Sequence, residues 1–285
     1  MTTYGYIGLG DMGSAMAEYL VATGVDLVVY DLDPEAVEKL VGLGASAAAS
    51  AAEVAERADI VSICVPAAPH IEAVLTGDTG IADTGRDGQP ILIHSTVHPD
   101  TITGSHATAS AWGGVVFDAC VAGGTVNARE GDLAVFAGAA DEMPTEVRAL
   151  LDVYGSKVIE AGPRGSGAAL KIAVNVMTYA QSSAAATCHA LVEGAGGDPA
   201  SLLEAWRHIG MLGELTERYT MLLGMSPADI DEGTAAFLQN QVGIAQKDLE
   251  LALELGDSGP GRSPFVEAIH RTMPGVYRTE PMPTA

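Results

Sequence analysis

The stretch "TYGYIGLGDMGSAMAEYLVATG", residues 3–24, decides the fold of the first half of the chain. It begins as a short apolar strand, turns through glycines and continues with apolar residues at helical spacing. Gly8, Gly10 and Gly13 have the spacing of a dinucleotide-binding fingerprint. The first glycine permits the turn, the second lets a pyrophosphate approach the backbone, and the third lets the helix pack on the strand. We therefore expect phosphates at the start of this helix.

A second strand, "VDLVVYD", ends at Asp31, eighteen residues beyond Gly13. A carboxylate at this point accepts hydrogen bonds from the adenosine ribose hydroxyls and repels a 2′-phosphate. Residues 32–34 include no arginine that could receive such a phosphate. The sequence therefore favours NAD over NADP. Asp33 is instead predicted to cap the helix that starts at Pro34.

Strand and helix patterns continue to alternate as far as the strand "GVVFDACV", residues 114–121. This alternation predicts an α/β fold with a parallel, doubly wound Rossmann sheet. Ligands in such sheets bind at the carboxyl ends of strands, which selects Val65 with Pro66 and Ser95 with Thr96. Turn formation alone is the alternative interpretation of either pair.

Strand patterns fade after "SKVIEAGPRGSG", residues 156–167. We predict a dinucleotide-binding domain over residues 1–164 and an all-helical domain over 165–285, built on a long helix from about 168 to 193. Lys171 and Asn175 lie four residues apart on this helix and so share a face. Lys171 either extends to solvent from an apolar helix or faces a polar cavity, where a lowered pKa would let it take up a proton.

The chain has 285 residues, with 14 Lys and Arg against 37 Asp and Glu, and a net charge of -23. This charge opposes binding to nucleic acid or to an anionic membrane. The cysteines, Cys64, Cys120 and Cys188, are too widely spaced to indicate a disulfide framework or a zinc site. The first residues contain no secretory signal pattern, so we expect a cytoplasmic protein.

Four stretches together resemble the β-hydroxyacid dehydrogenase family, which includes 3-hydroxyisobutyrate dehydrogenases and tartronate semialdehyde reductases. In chain order they are "GYIGLGDMGSAMAEYL" (5–20), "DACVAGGTVNAREGDLAVFAGA" (118–139), "GSGAALKIAVNV" (165–176) and "QKDLELAL" (246–253). The resemblance covers nearly the whole chain. It implies an NAD-dependent dehydrogenase or reductase of a short β-hydroxyacid and its semialdehyde, assembled as a homodimer or homotetramer.

The resemblance also implies residue roles. Lys171 matches the lysine that relays a proton to or from the substrate oxygen, and Asn175 matches the residue that orients lysine or substrate. Ala122, Gly123 and Gly124 match the substrate loop, in which glycine N–H groups receive the substrate carboxylate. With the positions selected above, the expected cofactor contacts are Gly8, Gly10, Asp11, Met12, Gly13, Asp31, Val65, Pro66, Thr96 and Lys247. For Lys247, the alternative is a surface ion pair with Asp248 or Glu250. No metal is expected.

The substrate loop departs from the family pattern, which usually reads Asp-Ala-Pro-Val-Ser-Gly-Gly. Here Cys120 replaces proline and Ala122 replaces serine. Ala122 cannot donate the hydrogen bond of the serine hydroxyl, so another group supplies it or the substrate differs. An imine or ketone reductase, or a cofactor-binding regulator without activity, are the alternatives. Cys120 is a minor catalytic candidate, because no partnering base is visible in the sequence.

Three further side chains have two interpretations each. His94 and His98 flank the turn "HSTVHP", and we interpret them as surface-turn residues, with a metal site as the alternative. Trp206 is predicted to pack in the core of its helix, although residues 206–208 could instead shape a pocket or bind an anion.

Overall fold

The structure is a computed structural model that describes residues 2–211, 213–226, 230–257 and 263–282. The chain forms two compact units, Met1–Lys171 and Ile172–Ala285. Across the described residues, no helix is both long enough and apolar enough to cross a membrane.

The first unit contains one sheet of eight strands. They are β1 Tyr4–Ile7, β2 Leu27–Tyr30, β3 Ser46–Ala47, β4 Ile60–Ile63, β5 Pro90–Ile93, β6 Val115–Ala122, β7 Ala134–Gly138 and β8 Lys157–Gly162. Their order in the sheet is β3-β2-β1-β4-β5-β6-β7-β8. The first six strands pair in parallel, in the order of a doubly wound Rossmann sheet. The predicted fold class is confirmed.

Seven helices connect these strands. They are α1 Asp11–Ala22, α2 Pro34–Leu43, α3 Ala51–Arg57, α4 Ala68–Thr76, α5 Pro99–Ala109, α6 Gly124–Glu130 and α7 Thr145–Tyr154. The predicted start of α2 is confirmed, because the Asp33 side chain accepts a hydrogen bond from Glu35 N and Pro34 is the first helical residue. The core of the unit includes Tyr6, Met16 and Phe117, all nearly inaccessible to solvent.

Strand β6 changes neighbours halfway along its length. Residues 115–118 pair in parallel with β5, whereas residues 119–122 pair antiparallel with β7. The alternating sequence pattern predicted parallel strands as far as β6, and it gave no direction for β7. Residues 123–133 are too few for the crossover that a parallel connection needs, so the chain returns antiparallel.

The second unit is helical throughout its described residues. The long helix α8, Ser166–Gly194, begins in the last residues of the first unit and continues into the second. It is followed by α9 Ala200–His208, α10 Glu214–Gly224, α11 Glu232–Asp257 and α12 Pro264–Val276. Tyr179, Leu249 and Met273 belong to the core, and Trp206 packs partly buried against it. The compact units divide inside α8, and the domain division at 164/165 stays a prediction.

Candidate active site

The turn between β1 and α1 leaves no room for side chains at two of its glycines. A Cβ on Gly8, which has φ +95°, would lie 2.3 Å from Cys64 O, and one on Gly13 would lie 2.0 Å from Gly8 O. Gly10 is exposed at the N-cap of α1, and a Cβ there would meet no described atom within 4 Å. The turn is therefore tightly packed on its inner side and open at the helix N-terminus, which fits a bound pyrophosphate.

Asp31 lies directly after β2, beside this turn. Its Oδ2 accepts a hydrogen bond from Leu9 N at 2.5 Å, and its Oδ1 accepts one from Asp33 N at 2.8 Å. The carboxylate therefore holds the glycine turn, a second role that the sequence did not reveal. Each carboxylate oxygen has a further lone pair that can accept a ribose hydroxyl.

The other expected cofactor contacts of the first unit lie at the same edge of the sheet, because β1, β2, β4 and β5 are parallel. Val65 and Pro66 follow β4, and Thr96 follows β5 after Ser95. The Ser95 hydroxyl accepts a hydrogen bond from Val65 N at 2.9 Å and so links the two strand ends. Asp11 is exposed as the first residue of α1, and Met12 is half-buried against the core.

The predicted substrate loop follows β6. Ala122 is the last residue of that strand, and Gly123 and Gly124 have φ values of +140° and +76°. Helix α6 starts at Gly124, so the loop presents backbone N–H groups at a helix N-terminus. These groups can receive a carboxylate.

Cys120 and His94 are buried in the first unit. The Cys120 thiol is fully buried and donates to Ser95 O at 3.4 Å. His94 is 3% exposed, and its ring lies nearly parallel to that of Tyr6, with the centroids 6.0 Å apart. Its interpretation as a surface-turn residue is wrong, because the β5 ladder continues one residue further through a hydrogen bond from His94 N to Ile63 O.

The environment of the His94 ring determines its charge. Nδ1 lies 2.7 Å from Ala119 O, which requires a proton on Nδ1, and Nε2 has no hydrogen-bond partner among the described residues. Burial lowers the pKa of His94 to about 4, opposed by the bond to the carbonyl. His98, by contrast, is the N-cap of α5 and accepts a hydrogen bond from Asp100 N. Among the described residues, no cluster of three or more His, Cys, Asp or Glu side chains could hold a metal ion.

In the second unit, Asn175 belongs to a buried polar network centred on Asp248. Asp248 Oδ2 accepts hydrogen bonds from Asn175 Nδ2 at 2.6 Å and from the Tyr179 hydroxyl at 2.9 Å. Lys247 Nζ lies 3.1 Å from Asp248 Oδ1. Lys247 therefore forms the ion pair with Asp248 that was the alternative interpretation. The pair is not a surface pair, because Asp248 is only 2% exposed. Burial and, secondarily, the Asp248 carboxylate raise the pKa of Tyr179.

The sequence analysis missed Asp248 as a positioning residue. The signal was its place on the apolar stripe of α11, between Ala245 and Ala252 and beside Leu249. An acidic side chain on such a stripe needs buried donors. Its contact with Asn175 also fixes the amide, because a carboxylate can accept from Nδ2 and would repel Oδ1. Asn175 therefore directs its carbonyl oxygen away from Asp248.

Lys171 is half-buried on α8, one turn before Asn175. Both side chains are thus carried by the same continuous helix, as predicted. Of the other residues singled out in the sequence, Arg207 forms an ion pair with Glu217, and His208 is exposed.

The model of the NAD binding domain of 6-phosphogluconate dehydrogenase matches residues 3–162. The 3-hydroxyisobutyrate dehydrogenase of Pseudomonas aeruginosa is 35% identical over 255 residues, which cover 89% of this chain and 85% of that protein. The NAD-dependent L-serine dehydrogenase of the same organism is 32% identical over 268 residues, covering 93% and 89%. A solved structure, Psf3 in complex with NADP+ and 2-OPP, has the same fold, with a TM-score of 0.83, 22% identity and coverage of 97% and 95%.

These matches extend over both units and agree with the four motifs. The relatives are named as dehydrogenases of hydroxyacids, and the first unit has the turn, carboxylate and strand ends that an NAD(P)-binding domain requires. The chain therefore belongs to the β-hydroxyacid dehydrogenase family and is an oxidoreductase acting on a CH–OH group.

Proposed function

We propose that the protein interconverts a short β-hydroxyacid, similar to 3-hydroxyisobutyrate, and its semialdehyde, with NAD as cofactor. One observation carries the proposal: Lys171 and Asn175 lie one turn apart on α8, and a buried carboxylate fixes the Asn175 amide. An amine beside an oriented carbonyl oxygen suits proton transfer at a hydroxyl group.

In the oxidative direction, Lys171 takes the proton of the substrate hydroxyl, and in reduction it returns that proton to the aldehyde oxygen. Asn175 orients the amine or the hydroxyl through its Oδ1. The N–H groups of Gly123 and Gly124 bind the substrate carboxylate. A bound nicotinamide would accept the hydride in oxidation and supply it in reduction.

Asp31 supports NAD as the preferred dinucleotide. Its hydrogen bonds from Leu9 N and Asp33 N hold the carboxylate beside the glycine turn, where it would accept the ribose hydroxyls and repel a 2′-phosphate. The expected contacts along the same sheet edge are Gly8, Gly10, Asp11, Met12, Gly13, Val65, Pro66 and Thr96, with Lys247 contributed by α11. NADP is the alternative, and the fold accommodates it in a similar protein.

The substrate class is supported by the two named relatives. 3-Hydroxyisobutyrate and L-serine both carry a carboxylate and a hydroxyl on the β carbon. The loss of the loop hydroxyl at Ala122 removes one hydrogen bond, worth about 0.5 to 1.5 kcal/mol for a neutral partner or up to about 3 kcal/mol for a carboxylate, which weakens binding without removing the proton relay. We further infer that the enzyme works as a cytoplasmic homodimer or homotetramer.

The deciding experiment follows reduction or oxidation of the nicotinamide by its near-ultraviolet absorbance. Wild type, Lys171→Ala and the exposed-lysine control Lys157→Ala are compared with NAD and NADP on β-hydroxyacids, their semialdehydes and cyclic imines. General acid-base catalysis is typically worth about 10² to 10⁴, so Lys171→Ala should lower kcat by about 100-fold or more. Lys157→Ala should retain wild-type activity.

Three results would contradict the proposal. Near-normal turnover by Lys171→Ala would remove that amine from the mechanism. Turnover of a cyclic imine without any hydroxyacid would indicate the imine reductase alternative, and cofactor binding without turnover of any substrate would indicate a regulator.

A further inference from the structure

Asp118 is a buried carboxylate that the proposed proton relay does not use. It is fully inaccessible to solvent and lies at the point where β6 leaves β5 and joins β7. Four residues later the same strand ends at Ala122, the start of the substrate loop. Burial of a carboxylate destabilises the folded protein unless hydrogen-bond donors compensate its charge.

The compensating donors belong to the start of α8. Asp118 Oδ1 accepts a hydrogen bond from Gly165 N at 2.9 Å, and Oδ2 accepts one from Ala168 N at 3.0 Å. Gly165 directly precedes the helix and Ala168 lies in its first turn. Backbone N–H groups at this position have no partner within the helix, and the positive end of the helix dipole favours an anion there. Asp118, which lies 47 residues before Gly165 in the chain, thus binds the start of α8 through these two hydrogen bonds.

Two glycines create the space for this contact. A Cβ on Gly138 of β7 would lie 2.1 Å from Asp118 Oδ1, and a Cβ on Gly167 of α8 would lie 2.8 Å from Asp118 Oδ2 and 2.3 Å from Phe136 O. Strand and helix therefore approach the carboxylate more closely than any side chain would permit. The first turn of α8 is fixed against the sheet at this point.

We propose that Asp118 is a positioning residue for Lys171, holding the start of α8 so that the amine keeps a fixed place relative to the substrate loop. This inference rests on the proposed role of Lys171. Lys171 follows Ala168 by three residues of regular helix, and Ala122 follows Asp118 by four residues of regular strand. The Asp118 side chain thus fixes the position of Lys171 relative to the substrate loop. Misplacement of a reacting group by about 1 Å can cost about 100-fold in rate.

A double-mutant cycle tests this role with wild type, Asp118→Asn, Lys171→Ala and the double variant. Asparagine has the shape of aspartate, but its amide nitrogen would face a backbone N–H instead of accepting from it. Asp118→Asn should lower kcat by about 10- to 100-fold when Lys171 is present, with little change in KM for NAD. In the Lys171→Ala background the same change should lower the residual rate by less than about threefold, because the group that Asp118 positions is gone.

Hydrogen exchange of the residue 165–171 amides provides a readout that does not depend on activity. Asp118→Asn should accelerate exchange there, whereas the control Ile93→Val, which shortens a buried side chain paired with Asp118 across the sheet, should not. Equal losses of kcat in both backgrounds, or unchanged exchange in Asp118→Asn, would overturn the inference. A fully active Lys171→Ala would instead contradict the proposed function. Hydrogen exchange would in that case still measure whether Asp118 stabilises the start of α8.

If Asp118→Asn does not fold, Gly138→Ala serves as the second variant. Its Cβ must push the Asp118 carboxylate away from the helix while the charge is retained. Gly138→Ala should lower kcat more when Lys171 is present than in the Lys171→Ala background. It should also accelerate hydrogen exchange of the residue 165–171 amides. Wild-type kcat and exchange in a folded Gly138→Ala protein would overturn the inference.

Discussion

At the scale of the single residue, His94 makes the stability of the protein depend on pH. The ring is neutral in the folded protein, because burial lowers its pKa to about 4. In the unfolded chain the pKa is about 6.5, so the unfolded state takes up a proton at higher pH than the folded state does. The contribution of the neutral His94 ring to the free energy of unfolding is therefore fully present above about pH 6.5 and is lost as the pH decreases towards 4.

This prediction is measured by urea unfolding at neutral and at mildly acidic pH. Between pH 7 and pH 5 the wild type should lose about 2 kcal/mol more free energy of unfolding than His94→Gln, which keeps a donor for Ala119 O but cannot ionise in this range. The control His70→Gln removes an exposed histidine and should behave like the wild type. Equal losses in wild type and His94→Gln would show that the His94 ring is protonated in the folded state or remains accessible to water.

The sequence was least informative about the partners and the burial of single side chains. The glycine turn and the position of Asp31 at the end of β2 could be predicted because the glycine spacing and the strand pattern are local in the chain. The partners of Asp118 and Asp248 could not be predicted, since their donors lie 47 to 73 residues away and depend on how strand, helix and sheet meet. His94 was misinterpreted because it was assigned to the turn "HSTVHP", whereas its backbone still pairs with Ile63 of β4.

At the scale of the element, we expect the turn from β1 into α1 and the end of β2 to act together in cofactor selection. Asp31 joins them, because its carboxylate accepts from Leu9 N while facing the expected ribose position. Asp31→Asn removes the charge but keeps one acceptor for the turn. The ratio of NADP affinity to NAD affinity should rise about tenfold, which corresponds to about 1.4 kcal/mol of relieved repulsion.

Asp33→Asn is the matched control for this prediction. It removes a charge two residues away, and asparagine caps α2 as well as aspartate does. Binding of both cofactors, followed by titration of reduced-nicotinamide fluorescence, should be unchanged in this control. An unaltered ratio in Asp31→Asn would mean that another group distinguishes the ribose from its 2′-phosphate.

Most elements were predictable because each is decided by local pattern. The alternation of apolar strands with capped helices is enough to specify β1, β2, β4, β5 and β6 and their parallel direction. The antiparallel return of β7 depends on the length of the β6–β7 connection, and the two-residue strand β3 has too few residues to form a pattern. The long helix α8 was predicted from its unbroken apolar period, which runs from Ala168 to Glu193.

At the scale of the whole molecule, apolar side chains exposed on the second unit predict self-association. Eight of the twelve large hydrophobic side chains that are exposed among the described residues belong to the smaller unit, including Met177, Met221, Phe237 and Phe265. Exposed apolar surface of this kind is stabilised by burial against a partner, and most oligomers are built from identical subunits. We expect a particle of two or four chains of 29.1 kDa each.

Light scattering at micromolar concentration measures this directly. The net charge of -23 per chain makes copies repel each other, so association should strengthen as salt is raised from low to physiological concentration. Phe237→Glu should lower the measured mass, whereas Leu32→Glu, at a more exposed apolar position of the first unit, should leave it unchanged. A wild-type particle of 29.1 kDa at every salt concentration would refute the prediction, and a dimer insensitive to Phe237→Glu would assign the contact to another face of the second unit.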